Sequence, residues 1–157
     1  MTDFLELLDW KRRVFDLYAR VRASAPEDGW RLWRDEREHL FAGHPQSPNQ
    51  AVRPGYFDYD PGARVLGDLE GASPQDLRLP VSRDEEIAAH RVARVRFAFR
   101  STQAALDVFW IDGYGGGLFL PFRDATSGRS TYGAGRYLYD TIKGADLGAE
   151  DGRLVLD

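Results

Sequence analysis

Two periodicities divide this chain, and together they limit what it can fold into. Over residues 3–23, Leu7, Trp10, Val14, Leu17 and Val21 recur at alternating spacings of three and four, and Leu8, Phe15 and Tyr18 widen the stripe. A helical turn of about 3.6 residues puts such positions on one side, so the pattern predicts an amphipathic helix. From about residue 63 the pattern is alternation, as where Val92, Arg94, Arg96, Ala98 and Arg100 interleave with Ala93, Val95, Phe97 and Phe99. Alternation belongs to strands with one face buried. A helical start followed by a strand-rich body is therefore expected.

The first helix carries acids early (Asp3, Glu6, Asp9) and bases late (Arg20, Arg22), which suits the helix dipole. Asp9–Arg13 and Asp16–Arg20 are favourable four-apart pairs. Ser24-Ala25-Pro26-Glu27 has the form of a capping box with proline in the first turn. The second helix is expected to run to about Ala42, bury Trp30, Trp33, Leu40 and Phe41, and stop at Gly43. Its charge run, Arg34 to Glu38, reads as a solvated face. Residues 44–62 form a Pro-, Gly- and Asn-rich connection with aromatic anchors at Tyr56, Phe57 and Tyr59.

Strands are predicted at 63–69, 77–81, 91–100, 104–111, 118–122, 136–139 and 153–156. Ser101-Thr102-Gln103 and Gly113 to Gly117 are short enough to be hairpin connections. Sequential strands joined by hairpins imply an antiparallel meander. The expected fold is α+β: two N-terminal helices packed on that meander, which closes into a small barrel. Residues 1–157 make one domain, with a helical part over 1–43, the connection over 44–62 and the β-rich body over 63–157.

Composition narrows the function classes. A chain of 157 residues with 43% apolar and 13% aromatic residues can bury its own core. Its 21 basic residues nearly balance 25 acidic ones, leaving a formal charge of -4, so nucleic acid is a poor partner. Cysteine is absent, which excludes disulfides, thiol nucleophiles and thiolate metal sites. The three histidines, His39, His44 and His90, lack metal-ligand spacing. No stretch resembles a signal peptide or a membrane span, so a cytoplasmic protein without metal or cofactor is expected.

Gly113-Tyr114-Gly115-Gly116-Gly117 resembles a phosphate loop only superficially, because a strand rather than a helix follows it. Two segments are denser in polar groups held by prolines and glycines. His44-Pro45-Gln46-Ser47-Pro48 offers an imidazole, an amide and a hydroxyl on a stiff backbone. Residues 118–138 hold a turn at Asp124, Thr126 and Gly128, flanked by Arg123 and Arg136. Asp and Thr bond nearby amides in such turns, Gly takes positive φ, and an arginine fork suits carboxylate or phosphate. Each residue also has a structural explanation: Asp124 as a turn acid, Arg136 in an ion pair, His44 at a helix end, and Tyr132 and Tyr137 as strand aromatics with one wet end.

In these two segments the sequence resembles the domain of unknown function 1684 family of bacteria and haloarchaea. The matching features are the tryptophan-containing helical start, His44–Pro48, and Pro121–Leu138 followed by Asp140. The resemblance implies no established activity. It departs at the end, where family members continue into a cysteine-containing segment and this chain stops at Asp157. The reading that follows is a pocket for a small polar or anionic ligand. Arg123 and Arg136 would be its charge partners, and His44, Gln46, Ser47, Asp124, Thr126 and Tyr132 its polar neighbours. The alternative is a non-enzymatic interaction or assembly module, a homodimer included, in which the same residues are structural. Neither reading fixes a reaction.

Overall fold

Helix α1 spans Phe4–Arg22 and helix α2 spans Pro26–Gly43 in a computed structural model that describes residues 3–51, 53–80 and 86–157. Asp3 starts α1, its carboxylate accepting the amides of Leu5 at 2.8 Å and Glu6 at 3.3 Å. The capping box at Ser24 is not formed. Ala25 is the N-cap of α2, and the Ser24 hydroxyl instead donates to the Arg20 carbonyl at 2.8 Å. The link between the helices is so short that Ser24 serves the open carbonyls at the end of α1. At the start of α2, Pro26 has no amide to satisfy. α2 does end at Gly43, its last helical residue, and His44 leaves in an extended conformation at φ -83 and ψ 133. Where the helices meet, a Cβ on Gly29 would stand 3.1 Å from the Val21 carbonyl oxygen, so glycine permits the approach. The Trp33 indole N–H donates to the Tyr18 hydroxyl at 3.1 Å across the pair.

Residues up to Pro61 form one compact unit and those from Gly62 a second. The second is an eight-stranded antiparallel sheet curled into a half-barrel. Its strands are β1 (Val65–Glu70), β2 (Asp76–Pro80), β3 (Glu86–Phe99), β4 (Thr102–Ile111), β5 (Gly117–Phe122), β6 (Arg136–Asp140), β7 (Ala149–Glu150) and β8 (Arg153–Leu156). The order is β6-β5-β4-β3-β1-β8-β7, with β2 paired to β3 beside the main path. The predicted strands are all present. The last residue of the 77–81 prediction, Val81, lies outside the described residues. The two-residue strand β7 has too little sequence to show alternation.

A bulge in β3 gives the sheet two apolar faces. Arg91 pairs with Phe109 and Ala93 with Val108, so Val92 is the extra residue. Beyond it, Val95 joins Val108, Leu120, Tyr139, Leu154 and Leu156 in the main core. Before it, Ala89 joins Phe109 and Ile111 in a second cluster with Leu77, Leu79 and Phe119. An unbulged strand would put Ala89 and Val95 on one face. The same shift lets both Arg91 and Arg94 reach Asp107, at 3.1 and 2.9 Å.

Tyr139 ties the curled sheet to itself. Its ring is buried in the main core, and its hydroxyl donates to the carbonyls of Val155 on β8, at 2.9 Å, and Gly148 before β7. The bond joins the β6 end of the path to the strands at its other end. Tyr139→Phe should lower unfolding free energy by about 1 kcal/mol, because the link from β6 to the Val155 and Gly148 carbonyls is lost while Gly148 keeps the Val155 amide as a donor. Urea denaturation with an unchanged m-value would check this. A midpoint equal to wild type would show that the half-barrel does not need the bond.

Candidate functional site

The His44–Pro48 segment folds onto the helices that precede it. The His44 ring is buried, with edge contacts to Trp10 at 5.2 Å between centroids. Its Nδ1 accepts the Gln46 amide at 3.0 Å, so the ring proton sits on Nε2, which faces Asp9 Oδ2 at 3.3 Å. The Gln46 side-chain amide donates to Glu6 at 3.2 Å, and the Ser47 hydroxyl donates to the Phe41 carbonyl at 2.8 Å. Ser47 therefore closes an open carbonyl at the end of α2. Both ring nitrogens of His44 are engaged, so it orients its neighbours and has no lone pair free for proton transfer.

Beside this segment a cleft of about 720 Å³ opens between α1 and α2. On α1 it is lined by Glu6, Asp9, Arg13, Asp16 and Arg20, a charged stripe in the same three-four rhythm as the apolar one. Glu36 and His39 of α2 face it, and His44 and Pro45 end it. Arg13 pairs with Asp9 at 2.7 Å, as the four-apart spacing predicts. Arg20 does not pair with Asp16; it reaches across to Glu36 at 3.3 Å. Asp16 and His39 are left without a hydrogen bond or ion pair among the described residues. Four carboxylates against two guanidiniums, both paired, make the cleft a poor host for an anion.

The other predicted group lies in the sheet unit, in the β5–β6 connection. The Arg136 guanidinium donates to Asp124 Oδ2 at 2.6 Å and to the Thr126 hydroxyl oxygen at 3.2 Å, and stands 4.6 Å over the Phe122 ring. Asp124 Oδ1 accepts the Thr126 amide at 2.9 Å and its hydroxyl at 2.5 Å. That leaves the Thr131 hydroxyl to donate to Thr126, 2.9 Å away. The amides of Arg129, Ser130 and Thr131 all turn to the Thr126 carbonyl, at 3.0–3.1 Å. Gly128 has φ 79, as the turn requires. A Cβ on Gly135, where φ is 102, would strike the Phe122 carbonyl and Arg123 Cγ at 2.7 Å. The loop is thus knotted by its own polar groups. Arg123 and Tyr132 are exposed, and their side chains make no hydrogen bond or ion pair among the described residues.

The eight predicted residues therefore form two sets. His44, Gln46 and Ser47 belong to the helical unit, and Arg123, Asp124, Thr126, Tyr132 and Arg136 to the sheet unit. The expected pair of arginines reduces to one free guanidinium, Arg123, because Arg136 is committed to Asp124. Sequence reasoning did not single out Asp9, Asp16 or His39; the charged repeat at 6, 9, 13, 16 and 20 was the available signal. Residues 112–116 connect β4 to β5 as a hairpin loop, with Tyr114 fully exposed and Gly117 already paired with Ile111 in β5. Among the described residues, no group of three or more His, Asp or Glu is placed to hold a metal ion, and no helix is long and apolar enough to cross a membrane.

These features define an α+β protein: a helical pair with a charged cleft, and an open, curled antiparallel sheet whose longest loop is internally bonded. The chain belongs to the domain of unknown function 1684 family, described as proteins of unknown function, whose model matches residues 54–157. The Pro121–Leu138 block lies inside that span and His44–Pro48 precedes it. The chain is also similar to an uncharacterised protein of Haloarcula marismortui solved in solution by NMR. The two share 29% identity and a TM-score of 0.54 over 83% of this chain and 74% of that one. No curated protein matches the chain.

The knotted loop has a pH signature. The Thr126 hydroxyl and amide, with Arg136 beside them, hold the Asp124 carboxyl below the usual carboxylate range. A depressed folded pKa stabilises the native state above the unfolded value of about 3.9, and that contribution is lost as pH falls through the lowered one. Asp124→Asn should melt below wild type at neutral pH, with the gap closing in acid. A gap that does not change with pH would show that the charge of Asp124 is not what holds the loop.

Proposed function

We propose that the helical unit binds a small polar ligand, neutral or cationic, in the cleft between α1 and α2. The observation that carries this reading is a cleft of ligand size in which Asp16 and His39 are polar, accessible and unused, while their neighbours are paired. Asp16 would accept from the ligand and His39 would donate or accept. The locked His44–Asp9–Arg13 set would fix the end wall. Because Asp16 and His39 hold nothing in the fold, their variants separate binding from stability. Asp16→Ala and His39→Ala should each weaken binding about tenfold, the order of one hydrogen bond to a charged or polar group, with melting temperature unchanged. The readout is amide shifts in ¹H–¹⁵N spectra during titration with polyols, primary amides and amino alcohols. Shifts that are absent, or scattered away from the cleft, would refute the reading.

One observation favours the interaction module instead. Phe4 and Leu5 of α1 are 75% and 76% exposed, and Leu8 and Phe15 continue an accessible apolar strip. Such strips mark contact surfaces, a homodimer among them. Light scattering after size exclusion decides this: a dimer that Leu8→Lys converts to monomer supports it, and a monomer at high concentration removes it.

A further inference from the structure

The connection after α2 builds a second pocket within the helical unit. Tyr56 packs edge-on against Trp33 at 5.4 Å and Tyr59 against Trp30 at 5.8 Å, which pins the connection along α2. Between them lies a space of about 400 Å³, walled by Trp30, Tyr56 and Phe57 and edged by Arg34, Asp35, Glu38 and Asp58. Trp30, Arg34 and Glu38 are four apart and so share one side of the helix.

The charges here are unevenly committed. Arg34 gives both Nε and Nη2 to Asp35, at 3.0 and 2.9 Å, so its positive charge is already answered. Glu38 and Asp58 make no hydrogen bond or ion pair among the described residues. The Tyr56 hydroxyl is buried, with the Arg37 guanidinium as its polar neighbour. Burial raises its pKa, against the opposing pull of Arg37, so it stays a neutral phenol. The indole faces of α2 already take cations: Arg34 stands 4.8 Å over Trp30 and Arg37 5.4 Å over Trp33. Aromatic faces attract cations through their ring quadrupoles, and free carboxylates at the rim add to this.

We propose that this pocket binds a small organic cation of the alkylammonium class, with Glu38 and Asp58 as counter-charges and Tyr56 and Phe57 as ring walls. An anion would meet two unanswered carboxylates. A metal ion would need convergent oxygen or nitrogen ligands, and no such group exists among the described residues. The site is separate from the α1–α2 cleft and does not depend on it.

Choline and its neutral isostere 3,3-dimethylbutan-1-ol test the proposal by calorimetry and ¹H–¹⁵N titration on the full chain. Choline should bind saturably, with shifts at the Trp30 indole and Tyr56, and the isostere should bind about tenfold more weakly. Glu38→Gln and Asp58→Asn should each reduce choline affinity several-fold with melting temperature unchanged. Arg34→Ala should raise it, by removing a competing cation from the Trp30 face. Equal affinity for the isostere, indifference to both carboxylate variants, or no saturable choline binding would overturn the proposal. Choline shifts confined to Asp16 and His39 would also overturn it, while leaving the cleft reading standing.

Discussion

The bond from the Tyr139 hydroxyl to the carbonyls of Gly148 and Val155 is the tie on which the sheet unit depends. A curled sheet that does not close has free strand edges, and strand pairing cannot hold β6 to β8. Tyr139 spans that opening from inside: its ring fills the main core with Leu120, Val108 and Leu156, and its hydroxyl reaches the far strands. The core and the closure thus share one residue. The β5–β6 loop depends on this placement, because Arg136 opens the same strand that Tyr139 anchors three residues later.

The bulge at Val92 is the second constraint, and it was not legible. The alternation over 91–100 correctly implies a half-buried strand, but alternation alone extends the same face back to Ala89. The register shift sends Ala89 to the other cluster, with Phe109 and Ile111. Nothing in Arg91-Val92-Ala93 marks the extra residue, since β-branched and small residues are ordinary on either side of a ladder. Close packing elsewhere confirms how tightly register is held. A Cβ on Gly67 would come within 2.3 Å of Val95 Cγ2, so that β1 position admits only glycine unless the core moves.

Patterns that depend on many residues were readable, and those that depend on one competing hydrogen bond were not. The helices and the longest strand come from periodicities summed over ten or more positions, the shorter strands from local alternation between turn signals, and they stand where expected. The capping box at Ser24 failed because a serine hydroxyl has two suitors in a short link, and the Arg20 carbonyl won. Asp124, Thr126 and Gly128 were legible as a turn because their roles are local: each partner lies within a dozen residues. His44 was visible as a special residue, but its partner Asp9 is thirty-five residues away and its spacing points only to Arg13.

The polar residues that draw the eye in the sequence are the ones the fold has used. His44 and Asp124 sit beside prolines or glycines because their own hydrogen bonds need a fixed backbone, and those bonds occupy them; Arg136 gives its Nη2 to Asp124 and Thr126, while its buried Nε is left without a partner among the described residues. A group already satisfied in this way has little differential free energy to give a ligand, since binding would first have to break a native bond. Both proposed sites are therefore placed on polar groups that line a cavity and hold nothing in the fold: Asp16 and His39 in one pocket, Glu38 and Asp58 in the other. Asp16, Glu38 and His39 lie on ordinary helical charge patterns and Asp58 in the connection after α2, where solvation explains them equally well in sequence. Only the placement of a cavity next to an unanswered charge separates a binding group from a solvated one.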